Sequence, residues 1–259
     1  MKAFILGIDQ GSTGSKAMIV NAQGEVVCSA YRRIRSFYPQ EGWLEHDPNE
    51  MWSSVSECIQ EIAAQFDLKN VLAIGITNQR ETTILWDRAS GEALTPAISW
   101  QCTRGAKIIE QWAPFSDEIL AKTGLISNPY YSASKIAWLF QNDPALRRRA
   151  EQGEICFGTV NTWILWKLTG GRAHRTDSSN AGRTMFFDIH TGAWDQSLLK
   201  KMDLPEAMLP EVCPCDALFG LAIKPDGVFS EPVPVLASIG DQMSALFGQS
   251  CFARGEAKC

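Results

Sequence analysis

The sequence has no apolar run approaching the ~18 residues that a membrane-spanning helix needs. Its opening, MKAFILGIDQGSTG, passes from a short apolar stretch straight into Asp and Gly, without the small-residue cleavage site of a secretory leader. Neither a membrane span nor a leader is therefore expected. Histidine is scarce, with three residues (His46, His174 and His190) expected in loops or at edges. No Ser/His/Asp order or G-x-S-x-G elbow points to a hydrolase. There is no Cys-x-x-Cys pair: the eight cysteines are scattered, and a zinc site on Cys213 and Cys215 would need two more ligands, the nearest histidine being His190. That usage fits reduced packing residues of a cytoplasmic protein. An excess of positive charge is also missing. With 24 Lys+Arg against 29 Asp+Glu the net charge is −5, which leaves no general footprint for nucleic acid or an anionic membrane. The triplet Arg147, Arg148 and Arg149 fits a solvated helix end after Asn142-Asp143-Pro144. Walker A and G-x-G-x-x-G phosphate loops are absent too.

What remains is a globular composition, 45% apolar and 20% charged over 259 residues. That is enough for one large or two small domains whose core needs no disulfide or metal. AFILGID, KAMIVNA and VVCSAYRRI are short β-prone runs separated by Gly-containing turns, which predicts three antiparallel strands. Asp47-Pro48-Asn49-Glu50 offers an N-cap, a proline at the first helical position and a Glu three after the cap. Trp52, Val55, Ile59, Ile62, Ala63 and Phe66 then recur at helical spacing, predicting an amphipathic helix over 48–66. VLAIGIT and TTILWDR follow as strands. Further helices are predicted over 107–112, 134–142, 160–169 and 196–202, with RTDSSNAGRTMFFD an ordered loop between the last two. A proline-punctuated surface connection leads to VPVLASIGDQMSALFGQS, a buried strand, a tight turn and a helix. This order favours a mixed sheet with helices on its faces.

Chemistry gathers at two strand ends. Asp9 stands where an apolar strand meets Gly11, Ser12, Thr13 and Gly14; glycines admit an anion to the backbone, and a carboxylate beside them could hold a Mg²⁺ that bridges phosphates. A plain hairpin turn explains the same residues. Asp241 lies in the turn between a buried strand and a helix, placed as a general base toward a hydroxyl in the crevice, or else as a helix N-cap. Two such aspartates would suit phosphoryl transfer.

The strings GIDQGSTGSKAMIV, EGWLEHDPNEMW, IGITNQRETTILWD, ISWQCTR, NPYYSASKIAWL, GTVNTWILWKLTGG, TDSSNAGRTMFFDI and GDQMSALFGQ decide between these readings. Together, and in this order, they resemble the amino-terminal half of the FGGY carbohydrate kinases, most closely the members that act on glycerol. The resemblance implies an α/β, actin-like and ribonuclease-H-like domain with a mixed central sheet and flanking helices. It implies ATP and Mg²⁺ as cofactors, Asp9 with Asp241 on the metal side, and Gly11, Ser12, Thr13 and Lys16 around the phosphates. Asp241 matches the general base, and Arg80, Glu81, Trp100, Tyr130, Asp241 and Gln242 match the polyol contacts. Each has a plainer reading: Arg80 and Glu81 as a surface pair, Trp100 as a core residue, Tyr130 as a packing residue of the next helix.

The resemblance is not uniform. Lys16 stands where an arginine is usual and CTRG where two adjacent arginines are. Asn161 replaces an aspartate, Ser178 a tyrosine, Gly182 a serine and Met243 a second glutamine. The substrate residues match, so glycerol is the first expected acceptor, with another polyol or a ketose of the ribulose, xylulose or erythritol type as the alternative. Residues 1–250 are expected to form the substrate-binding domain and 251–259 the start of a linker. In the family a carboxyl-terminal ATP-binding domain with a TYGTG loop follows, and Cys259 falls just before that loop. Alone, the chain is expected to be inactive, or else to serve as a non-catalytic polyol-binding module. An exposed interdomain face would favour self-association, so a homo-oligomer is among the expected partners, with nucleic acid and membrane excluded.

Overall fold

The computed structural model describes residues 3–225 and 227–258. The chain opens as expected, with β1 (Phe4–Gln10), β2 (Gly14–Val20) and β3 (Val26–Arg33). After β4 (Glu45–His46) comes α1 (Pro48–Ala63), then β5 (Val71–Asn78), β6 (Ile84–Asp87) and β7 (Ala97–Ile98). A helical stretch follows: α2 (Ala106–Gln111), α3 (Ser116–Thr123), α4 (Ser132–Asn142) and α5 (Pro144–Glu151). Then come β8 (Ile155–Gly158), α6 (Val160–Leu168), β9 (Arg175–Asp177), α7 (Ser178–Ala181), β10 (Phe187–Asp188), β11 (Ala193–Trp194) and α8 (Gln196–Met202). The chain closes with β12 (Glu211–Cys213), β13 (Gly220–Ala222), β14 (Val233–Gly240) and α9 (Asp241–Gly248).

Six strands make the central sheet, in the order β13-β14-β5-β1-β2-β3. The hairpins β1-β2 and β2-β3 are antiparallel, whereas β5 and β14 run parallel to β1, so the sheet is mixed. Alternation sets the two faces. In β1, Leu6 and Ile8 point into the core while Gly7 and Asp9 point away from it, and Ile19, Ile74 and Ile76 continue the inner face. That face is covered by α1 and α6. Asp47 caps α1 by accepting from the Asn49 amide, and Pro48 occupies the first turn. Glu50 does not reach back to the cap; it turns to Arg35, 3.1 Å from its Nε. Met51, Val55, Ile59 and Ile62 form the buried stripe, and truncating one of them to alanine removes roughly 2–5 kcal/mol.

A second core, around Leu85, Ile108, Ile136, Phe157, Phe186 and Leu198, lies between the β6-β8 ladder and helices α2 to α5 and α8. The 147–149 triplet sits, as expected, at a solvent-facing helix end: it falls in the last turns of α5, with Arg148 exposed and Arg147 and Arg149 part-exposed. Asp143 caps a new helix, α5, by accepting from Ala145 and Leu146. Arg147 pairs with Glu151 and Asp203, and Arg149 with Asp87 and Glu154. The histidines lie where expected, His46 in the two-stranded β4–β7 pair and His174 and His190 outside helices and strands, but His46 is buried and His174 is packed edge-on to Trp86 and Trp166. The segment RTDSSNAGRTMFFD is not a loop throughout; it holds β9, α7 and β10. Among the described residues every cysteine is free, no cluster of three metal-ligating side chains occurs, and no helix is long and apolar enough to cross a membrane.

Candidate active site

Register brings the functional residues together. β1, β5 and β14 lie side by side and parallel, with Asp9 opposite Thr77 and Thr77 opposite Ile239, then Gln10 opposite Asn78 and Asn78 opposite Gly240. All three strands therefore end at one level, and the residues just beyond their carboxyl ends, Gly11 to Thr13, Gln79 to Glu81 and Asp241, share one crevice. In open α/β sheets that position is the usual place for a ligand.

Asp241 is the first residue of α9; Gly240, not Asp241, is the N-cap. The helix thus follows the strand without an intervening turn; Asp241 Oδ1 accepts from the Gln242 amide at 2.7 Å, and the side chain remains partly exposed at the crevice. Arg80 Nε lies 3.2 Å from Asp241 Oδ1. Among the described residues Nε has no hydrogen-bond partner, so this buried donor is held at the crevice by the ion pair alone. A Cβ on Gly240 would sit 2.5 Å from Arg80 Cδ, so the absence of a side chain at 240 is what lets the arginine lie across the strand end.

Glu81 is neither exposed nor part of a surface pair. Its φ of 61° is left-handed, a conformation costing a residue with a Cβ about 1–2 kcal/mol. Its side chain is 2% exposed and accepts from Arg183 Nε at 2.6 Å. Burial pushes the carboxyl above its usual range, and Arg183, then Arg80, oppose that. The Arg183 guanidinium also lies 4.9 Å from the Tyr131 ring and 5.8 Å from that of Tyr130. Tyr130 in turn meets Trp100, ring centroids 5.3 Å apart, completing an aromatic wall opposite the charged groups. Burial first, and the Glu81 charge second, hold the Tyr130 phenol above its ordinary value. The loop carrying both tyrosines is tied to α4 by Lys135, a fully buried ammonium that donates to the carbonyls of Pro129, Tyr130 and Tyr131. Its burial pulls its pKa down to about 7.

The hairpin turn after β1 faces the same crevice. Gly11 N donates to the Gly14 carbonyl at 2.9 Å, closing the turn. The Ser12 hydroxyl accepts from Trp100 Nε1 at 2.9 Å and donates to Gln79 Oε1 at 3.3 Å, so it is engaged on the aromatic side. Thr13 is exposed. Asp9 projects from the outer face into a 300 Å³ cavity beneath α9, shared with Thr77, Ala237 and Ile239. Burial raises the Asp9 carboxyl, the nearby Asp241 charge raises it further, and Lys16, opposite it on β2, lowers it. Two mutually repelling carboxylates are a donor set suited to Mg²⁺, which binds through one or two protein carboxylates plus substrate phosphates. Gln242 departs from the expectation: its side chain is exposed and accepts from Lys258 Nζ at 2.7 Å.

The structure thus joins Arg80, Glu81, Trp100, Tyr130 and Asp241 at one crevice, with Asp9 and the 11–13 turn beside them. It adds Arg183, Lys135 and Gln79. Arg183 and Lys135 lie inside the strings TDSSNAGRTMFFDI and NPYYSASKIAWL; the partner of Arg183 lies 102 residues away, and those of Lys135 are backbone carbonyls of its own string.

An actin-like α/β domain thus carries an arginine–carboxylate crevice, lined by aromatic rings, at the carboxyl ends of three parallel strands. The FGGY family of carbohydrate kinases, N-terminal domain, matches residues 4–248, and the chain belongs to that family. It is 45% identical to a glycerol kinase of Bdellovibrio bacteriovorus over all of this chain and 53% of that protein. It is 47% identical to one of Ectopseudomonas mendocina over all of this chain and 52% of that protein. Among solved structures, a glycerol kinase of Plasmodium falciparum with ADP superposes with a TM-score of 0.93 at 36% identity, covering 99% of this chain and 52% of that one. The chain spans about half the length of the relatives it matches.

Proposed function

We propose that this chain is the substrate-binding half of a cytoplasmic, ATP-dependent polyol kinase that converts glycerol to glycerol 3-phosphate. Residues 1–250 would form the substrate domain and 251–259 the start of a linker to an ATP-binding domain. The observation that carries this reading is the Arg80–Asp241 ion pair, whose Nε lacks a hydrogen-bond partner among the described residues, beside Glu81 and the Trp100–Tyr130 wall. A short polyol offers hydroxyls to the charged side and a carbon edge to the rings. The names of the relatives, glycerol kinases at 44–47% identity, support glycerol over a longer polyol or a ketose.

In this reading Arg80 and Glu81 orient the polyol so that one terminal hydroxyl meets Asp241. Asp241 accepts the hydroxyl proton as that oxygen bonds to the γ-phosphorus of ATP and the bond to the leaving ADP oxygen breaks. Mg²⁺ near Asp9 and Asp241 would neutralise charge on the phosphates. The turn at Gly11, Ser12 and Thr13, with Lys16, would lie on the phosphate side.

The test is glycerol-dependent ADP release. The 259-residue chain alone should show none, and the protein joined to its nucleotide-binding half should show it. Asp241→Asn should lower the rate by about 10²–10⁴ while glycerol binding stays within fivefold. Turnover that survives within a few-fold would remove Asp241 as the base, and release driven by a ketose but not by glycerol would replace the acceptor.

A further inference from the structure

Asp177 is fully buried, yet no arginine or lysine pairs with it among the described residues. Its charge is held by neutral donors alone. Oδ1 accepts from the amides of Ser179 at 2.9 Å and Asn180 at 3.0 Å and from the Ser179 hydroxyl. Oδ2 accepts from Asn161 Nδ2 at 2.9 Å, Asn180 Nδ2 at 2.7 Å and Ser238 Oγ at 2.9 Å. An isolated carboxylate is buried at large cost unless it is fully hydrogen-bonded, and a network this complete admits essentially one arrangement of its members.

Two of those partners lead to the crevice. Ser179 Oγ, fixed by Asp177, accepts from Gly240 N at 2.8 Å, at the residue before Asp241. Asn180, fixed by Asp177, exchanges a reciprocal pair of amide hydrogen bonds with Asn78, at 3.0 and 3.1 Å, at the end of β5 and two residues before Arg80. The first arm is one side chain long and ends on backbone; the second runs through two side chains, Asn180 and Asn78. Meanwhile Arg80 lies against Gly240.

We propose that Asp177 is a positioning residue that, through Ser179 and Asn180, fixes the spacing between the strand end carrying Arg80 and Glu81 and the strand end carrying Asp241. This rests on the polyol-kinase reading for its consequence in catalysis, but its geometric content stands apart from it. Asn161 belongs to the device: an amide there can only donate to Asp177 Oδ2, whereas a carboxyl could do so only while protonated. The other titratable groups facing Asp177 are the thiols of Cys213 and Cys215, whose own pKa values the Asp177 charge helps to raise.

The experiment uses this chain with three variants. Ser179→Ala cuts one arm and leaves the carboxylate its other donors, Ser179→Thr keeps the hydroxyl, and Asn161→Asp sets a second carboxyl against Asp177. Amide hydrogen exchange is followed over residues 239–242, and glycerol affinity is measured calorimetrically. Ser179→Ala should speed exchange at Gly240 and Asp241 at least tenfold and weaken glycerol at least fivefold, with Ser179→Thr within twofold of wild type in both. Asn161→Asp should behave like wild type at pH 5 and like Ser179→Ala at pH 8, as its carboxyl loses its proton. Equal exchange in wild type and Ser179→Ala, or a pH-independent Asn161→Asp, would overturn the proposal. A wild-type chain that binds no glycerol would instead remove the polyol reading, while the exchange rates would still decide the role of Asp177.

Discussion

Glu81 carries three costs at once: it is buried, it is charged, and its backbone is left-handed. Arg183 is what makes the first two tolerable, by a charge-assisted hydrogen bond at 2.6 Å. Removing one partner of a buried pair typically costs about 3–5 kcal/mol, unless the remaining group can neutralise itself. Glu81 can do so by taking a proton, since its carboxyl already sits above the ordinary range and loses its main opposing charge with Arg183. In that window the folded state binds more protons than the unfolded one, so stability falls as pH rises. Arg183→Met should therefore lower the melting temperature more at pH 8 than at pH 5; an equal loss at both would mean that the pair does not neutralise Glu81. At this scale the sequence spoke unevenly. Asp9 and Asp241 were ambiguous as residues, a hairpin turn and a helix cap serving equally well, and only the family strings favoured chemistry. Asp177 and Arg183 stayed silent because what they do depends on partners that only the fold brings near, among them Ser238 and Glu81; the partners of Lys135 are local, but they are backbone carbonyls, which no side-chain motif marks.

At the scale of elements, His174 shows how a side chain ahead of β9 fastens the second layer to the first. Its ring meets Trp86 of β6 and Trp166 of α6, and Nε2 donates to the Phe157 carbonyl of β8 at 2.8 Å. Burial lowers its pKa from 6.5 to about 4. Between those values the unfolded chain holds a proton that the folded one lacks, so acidification from pH 6.5 to pH 4 should remove stability, of the order of 3 kcal/mol. His174→Gln, which keeps a donor for Phe157, should flatten that slope in urea unfolding at pH 6.5 and 4.5; an unchanged slope would place the acid sensitivity elsewhere. The long elements were legible because their period is local: β1 to β3 and β5 by β-prone runs between turns, α1 and α6 by helical spacing. The predicted end of α1 ran three residues past Ala63. The two- and three-residue strands were not legible. β9 finds β12, Arg175 opposite Glu211, across 36 residues, and β13 joins the main sheet out of a proline-rich stretch, so no window of sequence contains the pairing that defines them.

For the whole molecule, the mixed sheet and the helical layer each contribute one wall of the crevice. Strand ends supply Asp9, Arg80, Glu81 and Asp241, and the loops entering α2 and α4 supply Trp100 and Tyr130. Under the proposed function a polyol would touch both layers, and the Ser12–Trp100 hydrogen bond at 2.9 Å joins the two. The most direct measurement is a calorimetric titration of this chain with glycerol, repeated on Glu81→Gln, which keeps the size of the side chain and removes its charge. The account predicts saturable binding at one site in the wild type and at least a tenfold loss in the variant, about 1.4 kcal/mol. Saturable binding that the substitution leaves unchanged would put glycerol elsewhere on the molecule and contradict it.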